Sequence, residues 1–279
     1  MTGMSVQGFL NDLDAGRVFG AVNLPADAEP IRIAIIDSGI DAAHPALKHK
    51  VLKYWDATGE KSEVEENPTE NHDTYGHGTA VAGLISRICP LARFYDVRVL
   101  GPNNAGTAAA LDRGLRWALR SDVLMMNMSL ATSFERILPL VEPIENNYFR
   151  KKMIVSSRRN IPVRDDGYPA ALVATVGVDN AKHLPVSDEG VPLEDLVSYR
   201  TAFPIDFSAN GTKLKTLAPG GKYTEVTGTS FATPVVCAIC ACLGLRYPEA
   251  DPFEIRLMLR AIAERNPEPE KELHKAATA

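Results

Sequence analysis

Ile31-Arg32-Ile33-Ala34-Ile35-Ile36-Asp37 is a nearly unbroken apolar run that ends on an acid. A run of this length and β-branched content reads as a strand buried on both faces, the kind found in parallel sheets. The pattern repeats with helices between. Gly78 to Cys89 reads as a buried helix, Ala92 to Leu100 as a strand, and Ala108 to Ser121 as a helix with apolar residues at Leu111, Leu115, Ala118 and Leu119. Val123 to Asn127, Met153 to Ser156 and Leu172 to Gly177 read as further strands. Phe134 to Arg150 is helical in period but carries Pro139 and Pro143, which predicts a kink or a break. Thr229 to Arg246 and Asp251 to Glu264 close the chain as helices. Strand–helix alternation predicts an α/β fold whose mainly parallel sheet is covered on both faces, with sites at the carboxyl ends of its strands.

The rest of the chain fits one domain. At 279 residues it can bury a sizeable core, and 45% hydrophobic with 23% charged residues is ordinary for a globular protein. A net charge of -5 argues against nucleic acid as a partner. Val235 to Leu245, the longest apolar run, is too short to span a bilayer, and Met1 to Asn11 lacks the pattern of a secretory signal. Of the four cysteines, Cys237, Cys240 and Cys242 fall on one predicted helix, away from Cys89. That is a poor disulfide framework, so the cysteines read as core packing in a reduced, intracellular protein. Glu60 to Asn71 reads as a polar surface loop, Asn180 to Pro204 as an irregular excursion, and the charged tail after Asn266 as frayed. The organisation expected is an N-terminal extension over residues 1–30, one domain over 31–265, and a tail over 266–279.

Three segments carry chemistry. Asp37-Ser38-Gly39-Ile40-Asp41 places an acid directly after a buried strand. Gly76-His77-Gly78-Thr79-Ala80-Val81-Ala82-Gly83 places a histidine between glycines at a helix start, and Gly228-Thr229-Ser230-Phe231-Ala232-Thr233-Pro234 places a serine at the head of an apolar helix. Each has a bland reading: a turn or cap for Asp37, a structural histidine, an N-cap for Ser230. Together they supply a nucleophile, a base to take its proton, and an acid to hold the base's tautomer. Rivals are Asp41, one turn past Asp37, and His72 with His77 as metal ligands, although no helix would put those two on one face.

The three segments closely resemble the signatures of the subtilisin-like serine proteases, and the resemblance runs from about Ile31 to about Glu264. It implies a subtilisin-like three-layer α/β/α fold and a triad of Asp37, His77 and Ser230. It further implies an oxyanion hole formed by the Asn160 side chain and the Ser230 backbone N–H. A peptide substrate would lie between two strands: Val97 to Gly101 with the small-residue loop Asn104-Ala105-Gly106, and Asn127 followed by Ser129-Leu130-Ala131. Gly167-Tyr168-Pro169 would floor the pocket for the residue before the scissile bond. No cofactor and no metal are implied, and neither nucleic acid nor membrane is an expected partner. The alternative is a catalytically impaired peptide-binding module or a regulated domain of a larger multidomain chain.

The chain departs from that pattern at the pocket. Arg159 stands where the family has glycine before the oxyanion asparagine, and Ala131 replaces another glycine. The Arg159 guanidinium can point inward and favour an acidic residue before the scissile bond, or outward to solvent, held by Asp165 and Asp166. The link from Arg87 to Ala92 is too short for the calcium-binding loop of many relatives, and the residues before Ile31 are too few for a folding-assisting prodomain.

Overall fold

The computed structural model describes residues 3–14, 16, 18, 29–59, 63–148, 152–160, 167–200 and 204–267. Eleven strands are found among them: β1 (Ile31–Asp37), β2 (Val51–Asp56), β3 (Glu65–Glu66), β4 (Ala92–Arg98), β5 (Met125–Met128), β6 (Met153–Ser157), β7 (Val176–Asn180), β8 (Val197–Tyr199), β9 (Phe207–Ala209), β10 (Leu214–Ala218) and β11 (Lys222–Val226). The helices are α1 (Gly3–Asp14), α2 (His77–Ile88), α3 (Ala108–Arg120), α4 (Phe134–Tyr148), α5 (Thr229–Arg246) and α6 (Pro252–Ala263). Nine strands form one sheet in the order β3-β2-β4-β1-β5-β6-β7-β9-β8. Every pairing from β2 across to β9 is parallel, and only the outer pairs, β2 with β3 and β8 with β9, are antiparallel.

β1 shows why the opening stretch has no polar face. Ile33 and Ile35 pack with Val81 and Leu84 of α2 and Val235 and Ile239 of α5. Ala34 and Ile36 pack with Leu111 and Leu115 of α3 and Ile137 and Leu140 of α4. The sheet is therefore covered on both sides, and strand alternation divides β1 between two cores. From β1 the chain lays down β2 and β3 at one edge, returns through α2 to β4 beside β1, then crosses through α3 to β5 on the other side of β1. The direction of winding reverses at β1, which opens a crevice beyond its carboxyl end, where Asp37 stands.

Several expectations need adjusting. Leu172 to Thr175 is a turn and not the start of a strand; the Thr175 hydroxyl lies 2.7 Å from the Pro169 carbonyl and 2.8 Å from that of Leu172, so β7 begins only at Val176. α4 runs unbroken through both prolines. Pro143 has no N–H for the carbonyl of Pro139, and Arg116 Nη2 of α3 donates to that oxygen instead, at 3.2 Å. The polar stretch before Asn71 holds β3, and the 180–204 excursion ends in β8. β10 and β11 form a separate hairpin whose exposed outer strand gave no apolar signal; it rests on α2 through Thr216 Oγ1, which donates to Ala80 O at 2.7 Å.

α5 is 18 residues long and, by length and composition, apolar enough to cross a membrane, although the Val235–Leu245 run alone is shorter. Its side chains from Val235 to Leu243 are all buried here, which is the reason it is apolar around its whole circumference. Cys237, Cys240 and Cys242 lie among them, and all four cysteines are free and buried. α1 packs through Phe9 against the edge of the Tyr247 ring, at 5.8 Å between centroids. Asp165, Asp166 and residues 268–279 of the tail lie outside the described residues.

Candidate active site

Asp37 ends β1 with its carboxylate fully buried. Its Oδ1 accepts from the Ser38 backbone N–H at 2.7 Å, and both oxygens face His77 Nδ1, at 2.8 and 2.9 Å. His77 is the first residue of α2, so the helix brings it to the strand end. That approach requires glycine at 78, where a Cβ would stand 2.1 Å from the Gly39 carbonyl oxygen and 3.3 Å from Asp37 Cβ. Burial of the imidazole favours its neutral form, but the Asp37 charge and hydrogen bond, with Asp73 behind them, outweigh it and raise the His77 pKa above its usual value.

Asp73 builds the loop that presents His77. Its Oδ1 accepts from Ser38 Oγ at 2.8 Å and from the N–H groups of Tyr75 and Gly76 at 3.0 and 2.6 Å. Its Oδ2 accepts from the N–H and hydroxyl of Thr79 at 2.9 and 2.6 Å. Two of these donors are N–H groups at the start of α2, whose own N-cap, Gly76, has no side chain to offer. His72 stacks on Tyr54 at 3.8 Å, with its Nε2 3.0 Å from Glu65 Oε2, and so is directed away from His77. Asp41 accepts from Gly220 N–H at 2.7 Å and from Ala43 N–H at 3.1 Å, a structural role.

Ser230 is the second residue of α5, and α5 packs on α2. The N-cap is Gly228 and makes no side-chain cap bond, so Ser230 is not spent as a cap. Ser230 and His77 line one cavity of about 550 Å³ with Asn160 and Phe231, and the His77 and Phe231 rings lie 5.0 Å apart. The Ser230 and His77 side chains are not hydrogen-bonded to each other. Contacts of this kind are often long in an unliganded site. Thr229 holds the third member. Its N–H donates to Asn160 Oδ1 at 2.8 Å, and its hydroxyl lies 2.8 Å from the same oxygen and 2.6 Å from Arg158 O. With Oδ1 occupied on that side, Nδ2 is the amide's donating end.

A cleft of about 540 Å³ leads away from Ser230 and Asn160. Asn104, Ala105 and Gly106 line one side, Ser129, Leu130 and Ala131 another, and Arg159 a third. Gly167 packs against two of these lining residues, where a Cβ would meet Ala131 Cβ at 3.0 Å and Arg159 Cβ at 3.1 Å. Asn104, Ala105, Gly106, Ser129, Leu130, Ala131 and Arg159 are thus gathered around one space, with Gly167 against two of them. Arg159 lines the cleft, and Asp165 and Asp166, considered as its outward partners, lie outside the described residues. Arg159 Nη2 donates to Thr132 O at 2.8 Å, so the side chain bridges two walls of the cleft. Arg158 turns the other way and pairs with Asp179 at 2.7 Å.

The profile of the subtilase family matches residues 29–275. A thermostable alkaline protease of Halalkalibacterium halodurans is 31% identical over 83% of this chain and 62% of its own length. Subtilisin Savinase of Lederbergia lenta is 27% identical over 84% of this chain and 83% of its own. The chain therefore spans about three-fifths of the length of the first of these relatives and most of the second. Among solved structures, sphericase superposes with a TM-score of 0.68 at 22% identity, covering 84% of this chain and 83% of its own, which supports the fold.

Proposed function

The chain belongs to the subtilase family, and from that premise we propose that it is a serine endopeptidase in which Ser230 is the nucleophile, His77 the general base and acid, Asp37 the orienting acid, and Asn160 with the Ser230 N–H the oxyanion hole. The observation that carries this reading is the buried Asp37–His77 bond, at 2.8 Å, opening into a cavity shared with Ser230 and Asn160. Asp37 holds the proton on Nδ1, which leaves Nε2 as the basic nitrogen. Ser230 Oγ attacks the scissile carbonyl carbon as its proton passes to His77 Nε2. The oxygen that becomes negative is met by Asn160 Nδ2 and by N–H groups at the start of α5, where the helix favours negative charge. His77 then protonates the departing amine, and the acyl group on Ser230 is released by water, with His77 again taking the proton.

The substrate is an extended peptide. It adds as a strand between the segment ending at Gly106 and Ser129-Leu130-Ala131, held largely by backbone hydrogen bonds. The residue before the scissile bond enters the space bounded by Ala131, Arg159 and Gly167. The test is labelling by a fluorophosphonate probe together with hydrolysis of a peptide library. The parent chain labels and cleaves. Ser230→Ala does neither, while melting at the same temperature. Equal cleavage by Ser230→Ala removes the assignment.

A further inference from the structure

β4 carries a carboxyl group that the mechanism above does not use. Asp96 pairs in register with Ile35 of β1 on one side and with Tyr54 of β2 on the other. Side chains two apart on a strand share a face, so Asp96 lies with Phe94 and Arg98 on the side covered by α2, one pleat short of Asp37 on the neighbouring strand. It is 1% exposed. Its Oδ2 accepts from the Ile40 N–H at 2.8 Å, in the turn that follows Asp37. Its Oδ1 has no hydrogen-bond partner among the described residues.

A buried carboxylate is ordinarily paired with a cation or surrounded by several donors. Asp73, which makes five such contacts, is an example close by. Asp96 has one. The groups that face it are Asp37 from β1, Asp73 from the segment before α2, Tyr54 from β2, and Arg98 on β4 itself. Two of these are acids, and the Arg98 guanidinium is joined to Asp56.

We propose that Asp96 is carried as a neutral carboxylic acid and acts as a positioning residue for the reacting centre, holding the turn behind Asp37 through Ile40 without placing a second negative charge beside the Asp37–His77 pair. Electrostatics run the same way. Burial raises the Asp96 pKa well above the ordinary carboxylate range, the Ile40 N–H opposes this, Asp73 and Asp37 raise it further, and Arg98 opposes them. An ionised Asp96 would instead favour the imidazolium and keep His77 protonated at the pH where a base is needed.

Asp96→Asn tests this, because the amide oxygen keeps an acceptor for Ile40 and cannot ionise. A carboxyl whose folded pKa is raised contributes stability that is fully present below its unfolded value, near 3.8, and is lost as pH rises through the folded value. The melting temperature of Asp96→Asn minus that of the parent therefore widens with pH above about 4, by roughly 3–5 °C per pH unit of that window. Parallel curves from pH 4 to 9 overturn the proposal. Should the asparagine variant not fold, Asp96→Ala carries the same test, since it too removes the titration. The second reading is kinetic and rests on His77 being the base. The acid limb of kcat/KM keeps its midpoint in Asp96→Asn, whatever happens to kcat, because both side chains are neutral there. A midpoint lowered by half a unit or more shows that a negative charge was removed and overturns the proposal. The melting arm needs no activity, so failure of the protease reading would leave it decisive.

Discussion

Thr229 places both its backbone N–H and its hydroxyl 2.8 Å from one atom, Asn160 Oδ1, with the hydroxyl shared with Arg158 O at 2.6 Å. The residue before the nucleophile thus fixes the amide proposed to receive the oxyanion. Asn160, in the segment after β6, is thereby tied to the head of α5 next to Ser230. Asn160→Ala is expected to lower kcat by about 100- to 1000-fold, the usual cost of removing such a donor. Thr229→Val keeps the backbone bond and loses the hydroxyl. It is expected to lower kcat by roughly tenfold, at most the cost of one misplaced hydrogen bond, with KM little changed. Steady-state kinetics on a single peptide separates the two. A Thr229→Val enzyme with unchanged kcat would show that the backbone bond alone suffices.

In the proposed mechanism His77 must be neutral to take the Ser230 proton, and its pKa is raised above the usual 6.5 by Asp37 against the opposing effect of burial. Activity is therefore expected to fall as pH drops through a midpoint above 6.5, read from the acid limb of kcat/KM. Asp37→Asn removes the charge that raises the pKa. The limb should move down, and kcat should fall by about 10,000-fold as the tautomer is lost. The same shift bears on stability with its own sign. The pair's contribution is complete below 6.5 and is lost as pH rises through the folded value, so it protects at acid pH and not at alkaline pH. The melting temperatures of His77→Ala and the parent should draw together as pH rises.

Asp73 tests whether the loop before α2 is held by one carboxylate. Asp73→Ala leaves the N–H groups of Tyr75, Gly76 and Thr79 and the hydroxyls of Ser38 and Thr79 without their acceptor. Hydrogen bonds to a charged group are worth about 1.5–3 kcal/mol each, and some of these donors will find water. A loss of about 3 kcal/mol in denaturant unfolding is expected, together with a lower kcat, because His77 rests on this loop. A loss below about 1 kcal/mol would show that the glycines and Ser38 hold the turn unaided.

What was legible in the sequence was whatever repeats with the period of an element or sits at its end. β1, α2, α3 and α5 are long, apolar and bounded by Gly, Thr or a charged residue, so their limits in the structure fall within a residue or two of those read from sequence. The placing of Asp37, His77 and Ser230 at the ends of buried elements was legible for the same reason, while their expected roles came from the three segments taken together and from the family resemblance. Asp73 and Asp96 were not legible. Asp73 sits in an irregular loop, where sequence carries no period. Asp96 is a single acid inside Phe94-Tyr95-Asp96-Val97, a strand whose neighbours on both sides only the fold supplies. β11 escaped because its exposed residues have no apolar face, and β10, though Leu214 and Leu217 are buried, is too short to announce itself alone.

Arg159 lines the cleft beside Ser230. Its backbone stands where a glycine would leave the space open, and its Nη2 reaches Thr132 O at 2.8 Å. The residue is half-buried, with its Nε shielded from solvent. A guanidinium in this position narrows the space for a large apolar side chain and offers a cation to an acidic one. Arg159→Gly removes both effects. Cleavage after Phe, Leu or Met is expected to rise by about tenfold, the worth of roughly 1.4 kcal/mol of admitted apolar contact. Cleavage after Asp or Glu is expected to fall. Both are read from peptide-library profiles of the two forms. A gain after apolar residues without a loss after acidic ones would make Arg159 a steric limit alone. Identical profiles would mean that the bridge to Thr132 braces the cleft wall and that Ala131 and Gly167 set the pocket's shape.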